Sequence, residues 1–265
     1  MGSQDRPGRG SFEQGRQYTG FADVYDEFMD NVPYDDWAGY LAGLMKEHGA
    51  ASGIVCELGC GTGKITRRLK NYGYDMIGID NSSEMLRIAR SKEKPGDESI
   101  LYLLQDMREF ELYGTVAAVV SICDSINYIT DARDLMKVFR LVNNYLDIGG
   151  VFIFDVNTLH YYRDVLGSRT ICDNRGECSL IWENEYDRRS RINTFELTLY
   201  MEQQDGLYSR HEETHYQRAY ELGMITRMLE KAGMKVERCY RAFTKHKGSE
   251  GCERVYFVAR TEKKE

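Results

Sequence analysis

Glu57 stands two residues ahead of three alternating glycines in the string Val55-Cys56-Glu57-Leu58-Gly59-Cys60-Gly61-Thr62-Gly63-Lys64. Glycines at every second position accept positive φ and leave no Cβ between the backbone and a ligand, so a large molecule can lie flat on such a turn. A nicotinamide-binding loop wants Gly-x-Gly-x-x-Gly. Here the third glycine comes one residue early, and Glu57 would repel a pyrophosphate. A carboxylate at that place suits a ligand that carries an amino group or a sulfonium. A second constellation, His211-Glu212-Glu213-Thr214-His215, fits the H-E-x-x-H zinc motif, which needs both histidines on adjacent turns of a helix. This stretch follows a turn signal and alternates like a strand, which would hold the histidines roughly 13 Å apart at ~3.3 Å per residue. The expectation is therefore a strand with no metal, in which His215 is a candidate catalytic side chain. Cys172 and Cys178 are spaced too widely for a zinc knuckle and have no matching second pair.

The Glu57-Leu58-Gly59-Cys60-Gly61-Thr62-Gly63 string resembles the first motif of the class I S-adenosyl-L-methionine (SAM) dependent methyltransferases. The resemblance implies that Glu57, Gly59, Cys60, Gly61 and Gly63 underlie the methionine part of SAM. It also implies an acidic ribose ligand at the end of the second strand. Asp80, closing the apolar run Met76-Ile77-Gly78-Ile79 about 20 residues after the glycines, takes that role. By the same resemblance Asp106 meets the adenine amino group and the Met107 amide its ring, and Asn81, Met85 and Cys123 join the cofactor-binding set. An N-terminal Tyr-x-x-Phe-Ala-x-x-Tyr-Asp-x-x-Met pattern is similar to segments that close over SAM in small-molecule members, which gives Tyr18 and Tyr25 to the cofactor or substrate.

The elements that must position these residues alternate strand and helix. Ile54 and Val55 lead into the glycines, and Lys64 to Lys70 has helical apolar spacing. Asn81-Ser82-Ser83-Glu84 reads as a capped helix start, placing Asp80 at a strand tip. Ile100 to Leu104 is a third strand, and Ala117 to Cys123 a fourth. The fourth leaves into the polar cluster Cys123-Asp124-Ser125-Ile126-Asn127-Tyr128, where Asp124 and Tyr128 join His215 as candidate bases or orienters of an acceptor. A helix over Ala132 to Leu146 and a strand over Val151 to Val156 follow. The pattern predicts an α/β fold with a doubly wound, mostly parallel sheet, and the resemblance implies seven strands with the last antiparallel. From Leu180 the period switches to two, and Asp205-Gly206 signals a hairpin joining Thr194–Gln203 to Leu207–Arg218. We expect an antiparallel lid over residues 166–219 inserted into a core spanning 18–165 and 220–265. It is followed by a helix over Leu222–Lys231 and strands over Val236–Phe243 and Arg254–Ala259. Residues 1–17, nearly devoid of apolar side chains, are expected to be a disordered tail.

With 265 residues, 42% hydrophobic and 29% charged, the chain can bury one full core plus an embellishment. Its net charge of −7 offers no attraction to nucleic acid or anionic membrane, and no apolar run approaches the ~20 residues of a membrane helix. The seven cysteines are scattered, several within strand patterns, which points to reduced thiols and a cytoplasmic location. The expected activity is methyl transfer from SAM to a small-molecule amine, hydroxyl or carboxylate. A non-catalytic SAM-binding regulator, an RNA methyltransferase and a nicotinamide oxidoreductase are the alternatives. Neither the acceptor nor the oligomeric state is legible.

Overall fold

The computed structural model describes Phe28 and residues 33–93, 100–203 and 205–262. The expected tail, Tyr18 and Tyr25 lie outside the described residues. Helix α1 (Tyr34–Glu47) comes first, followed by β1 (Ile54–Leu58), α2 (Lys64–Asn71), β2 (Asp75–Asp80), α3 (Ser83–Ser91), β3 (Leu101–Leu104) and β4 (Val116–Ser121). A 3₁₀ turn (Ser125–Tyr128) leads to α4 (Ala132–Tyr145) and β5 (Leu146–Asn157). The strands β6 (Thr170–Arg175), β7 (Cys178–Asp187), β8 (Ile192–Glu202) and β9 (Tyr208–Arg218) come next in the chain. Then α5 (Leu222–Lys231), β10 (Met234–Arg241) and β11 (Arg254–Thr261) close the described chain.

The main sheet has seven strands in the order β3-β2-β1-β4-β5-β11-β10. Its first four pairings are parallel, whereas β11 runs antiparallel to both β5 and β10. Successive side chains of a strand point to opposite faces, and the two cores divide accordingly. Cys56, Leu58, Val119, Phe152 and Phe154 pack with α4 and α5, while Val55, Ala118, Val120 and Ile153 pack with α1, α2 and α3. This is the doubly wound arrangement, and the order reverses between β1 and its neighbours β2 and β4. In open α/β sheets ligands bind at such a reversal, beyond the carboxyl ends of the strands.

The second sheet is a four-stranded antiparallel meander, β6-β7-β8-β9, inserted in the chain between β5 and α5. The Asp205-Gly206 turn joins β8 to β9 as expected, with Gly206 at φ 76°. One face of this sheet buries Leu180, Phe195, Leu197 and Leu199 against Phe28 and Tyr128. Strand β6 carried no signal because, as an edge strand with mostly exposed residues, it shows no inside–outside alternation. Strand β4 ends at Ser121, two residues earlier than expected, because Cys123 and Asp124 both take positive φ, 57° and 55°. Strand β5 begins five residues early: Leu146 already pairs with Val116 before the register slips around the glycines.

Candidate active site

The glycine loop is held by the neighbouring strand: the Gly59 and Cys60 amides donate to the Ile79 carbonyl at 2.8 and 3.0 Å. Gly59, Gly61 and Gly63 take φ of 72°, 53° and 70°. A Cβ on Gly59 would lie 2.5 Å from the Ser125 hydroxyl, and one on Gly63 would strike the Tyr102 ring, whereas one on Gly61 would meet nothing within 4 Å. Gly61 therefore faces the opening. The Asp80 carboxylate anchors this turn, accepting the Gly61 amide on Oδ2 at 2.8 Å and the Ser82 amide on Oδ1 at 2.9 Å. Burial pushes its pKa up, with these amides pulling the other way. Ser82 in turn caps α3 by accepting the Met85 amide.

A solvent-open cleft lies over this loop. It is lined by Gly59, Gly61, Asp80, Asn81, Met85, Asp106, Met107, Cys123 and Tyr128 among the expected residues, and by Ile79, Gln105, Arg108, Ser125 and Ile129 besides. Glu57, Cys60, Gly63 and Asp124 do not line it. Glu57 is 3% exposed beneath the loop, where its Oε2 accepts the Thr66 hydroxyl. Burial raises its pKa to about 8, against the Thr66 hydrogen bond and helped by the nearby Asp80. It can act on a bound cation only through the loop. Asp106 reaches the cleft already gripped: the Arg108 Nε donates to both carboxylate oxygens at 2.9 Å, and the Arg108 amide adds a third bond. Burial works against ionisation there, but the Arg108 bonds outweigh it and hold the pKa below the usual range.

Asp124 requires a correction as a candidate base. Its Oδ1 accepts the Arg254 guanidinium at 2.9 Å and its Oδ2 the Gln217 amide at 2.5 Å. Arg254 also binds Asp155, which is fully buried and accepts the Asp124 amide. This cluster holds the chain as it leaves β4, and Asp124 points into it instead of into the cleft. Arg254, Asp155 and Gln217 escaped the sequence reading because their partners lie some 30 to 130 residues away.

Tyr128 and His215 do come together. The Tyr128 hydroxyl is 3.3 Å from His215 Nδ1, and His215 Nε2 is 3.2 Å from the Glu213 carboxylate. His215 is wholly buried, stacked on Phe195 at 4.7 Å. His211 and His215 pair with Leu199 and Phe195 along β9, an extended strand and not the helix a shared metal requires.

Residues 55–150 match the family model of a methyltransferase domain. Over 249 residues the chain is 34% identical to YqeM of Bacillus subtilis (strain 168), covering 93% of this chain and 98% of that one. It belongs to the class I SAM-dependent methyltransferases. A SAM-dependent methyltransferase from Clostridium acetobutylicum ATCC 824 superposes with a TM-score of 0.82 at 26% identity, covering 92% of this chain and 98% of that one. The fold also matches SAM-bound CalS10, an amino pentose methyltransferase from Micromonospora echinaspora, with a TM-score of 0.72 at 17% identity, covering 90% and 96%. SAM is thus the cofactor of this methyltransferase, and the cleft suits it. Gly61 leaves room for the ligand, Asp80 keeps lone pairs on both oxygens, and Met85, Met107 and Ile129 supply apolar walls. No described helix is long and apolar enough to cross a membrane.

Proposed function

We propose that this methyltransferase moves the SAM methyl group to a nitrogen, oxygen or carboxylate of a small molecule held between the Ser125–Tyr128 turn and the second sheet. Tyr128 carries this reading: it lines the cofactor cleft and also packs into the apolar cluster of the second sheet, so it touches both compartments. Asp80 holds the ribose hydroxyls through the lone pairs its two amide bonds leave, and Asn81 and Met85 lie beside it. Asp106 and Met107 flank the adenine, Cys123 borders the transferring methyl, and Tyr128 and His215 orient the acceptor. Phe28, from the same N-terminal segment, packs onto the second sheet, while Tyr18 and Tyr25 lie outside the described residues. The second sheet acts as a lid. Alignment of nucleophile, methyl carbon and sulfonium in one line can supply roughly 7–11 kcal/mol of the rate acceleration. A small acceptor agrees with the net charge of −7 and with a relative that acts on an amino pentose, and seven free thiols agree with a cytoplasmic location. The test is a screen of small-molecule acceptors with purified protein and SAM, reading S-adenosylhomocysteine. Methylation of RNA but of no small molecule would overturn it.

A further inference from the structure

Strand β9 alternates so that Glu213, His215 and Gln217 all point inward, and each reaches the turn after β4 or its neighbour. Gln217 grips Asp124, whereas His215 bonds Tyr128 on one side and Glu213 on the other. An ionised Glu213 carboxylate would select one of the two tautomers of the ring. A carboxylate facing Nε2 accepts a proton from it, so Nε2 carries the hydrogen and Nδ1 presents its lone pair to the Tyr128 hydroxyl. All three side chains are removed from bulk water on the sheet side, with Glu213 8% and His215 0% exposed, and only Tyr128 opens onto the cofactor cleft. A nucleophile, an imidazole and an orienting carboxylate in sequence form the arrangement that moves protons in hydrolytic triads. Here a phenol takes the first place.

We propose that Tyr128, His215 and Glu213 form a proton relay that deprotonates an amine arriving as its ammonium ion, with Glu213 as a positioning residue. The proposal rests on the methyl-transfer reading of this cleft. An ammonium cannot attack, because its lone pair is held in an N–H bond; a carboxylate acceptor would need no relay. The ammonium gives a proton to the Tyr128 oxygen as the Tyr128 proton passes to His215 Nδ1, leaving a neutral amine and an imidazolium beside the Glu213 carboxylate. The amine nitrogen then bonds the methyl carbon, the C–S bond breaks, and its electron pair stays on sulfur as S-adenosylhomocysteine. The methylated product leaves as an ammonium, and the imidazolium proton returns through Tyr128 to water. The Tyr128 ring, held edge to face against the buried Phe195, lines the cleft and offers the incoming cation an electron-rich surface. Among the described residues, the charged groups Asp124, Asp155 and Arg254 beside Gln217 are bound to one another.

Two measurements on the full chain test this. Histidine ¹⁵N resonances of the S-adenosylhomocysteine complex, with His215 assigned by its loss in His215→Gln, should show Nε2 protonated and Nδ1 bare near neutral pH. Protonation of Nδ1 would overturn the relay. Turnover is then followed with panels of primary amines, alcohols and carboxylic acids as probes. Tyr128→Phe should lower kcat on amines about 100-fold at pH 7 and Glu213→Gln about 10-fold, with KM for SAM unchanged and with activity recovering toward pH 9–10, where the amine arrives neutral. A loss of equal size at every pH, or turnover confined to alcohols or carboxylic acids, would refute it. If no probe turns over, the resonances decide alone. Absence of S-adenosylhomocysteine binding in a calorimeter would instead refute the methyl-transfer reading beneath it.

Discussion

Glu57 and Asp80 are two carboxylates near enough that the charge of Asp80 raises the pKa of Glu57, and burial makes both reluctant to ionise. With the Glu57 pKa raised from an ordinary 4.5 to about 8, the folded protein holds a proton that the unfolded chain releases. Its contribution to stability is full below about pH 4.5 and is lost as pH rises through about 8. A bound sulfonium reverses that preference. SAM binding at pH 7 should therefore release protons, measurable by calorimetry in buffers of different ionisation enthalpy, and Glu57→Gln should abolish most of the release. Asp80→Ala should weaken SAM binding by ~1.5–3 kcal/mol, the worth of a charge-assisted hydrogen bond. Asp106→Ala should weaken it less, because Arg108 already occupies that carboxylate; titration of both variants with SAM checks the order. At this scale glycine spacing and a strand-terminal acid are local patterns, so Gly59, Gly61 and Asp80 were legible as cleft residues, whereas Asp106 and Met107 were reached through the family resemblance. The sequence could not show that Asp124 is consumed by Arg254, a partner 130 residues on, or that Glu213 stands behind His215.

The glycine turn and the β4 exit are elements under backbone constraint, and each predicts a distinct failure. Gly61→Ala meets no protein atom but must keep a left-handed φ of 53°, so it should cost about 1–2 kcal/mol of stability and a larger share of SAM affinity. Gly59→Ala should disturb the turn itself by displacing Ser125. At the β4 exit, Arg254→Met would strand Asp124 and Asp155 without their cation. Urea unfolding should show a loss of about 3–5 kcal/mol, the usual penalty for breaking a buried ion pair from one side. Strands with clear alternation, such as β7 to β9, were legible, and so was the capped start of α3. The β6 edge and the π-helix over Tyr161–Leu166 were not, because neither repeats on a simple period.

Across the whole molecule the cleft draws its lining from the loop after β1, the end of β2, the Gln105–Arg108 turn and the β4 exit, so the free energy of SAM binding there should appear as global stabilisation. SAM at a hundredfold excess over its Kd contributes about 2.7 kcal/mol, which should raise the melting temperature of a chain this size by roughly 5–10 °C in a calorimetric scan. The parallel order of the first strands followed from alternating strands and helices, while the antiparallel β11 came from the family resemblance alone; pattern carries no direction. The place where the second sheet joins the core has a further consequence. The Asn127 side chain donates at once to the Asn157 carbonyl, at the end of β5, and to the Arg218 carbonyl, at the end of β9, and accepts the Asn157 amide. The point of departure and the point of return are thus clasped by one amide, so the intervening segment is a closed cassette that meets the core through named side-chain contacts, Gln217 to Asp124 and His215 to Tyr128. An exchange of this segment spliced at those two positions should leave the glycine loop and Asp80 folded as long as the partners of Asp124 and Tyr128 are kept.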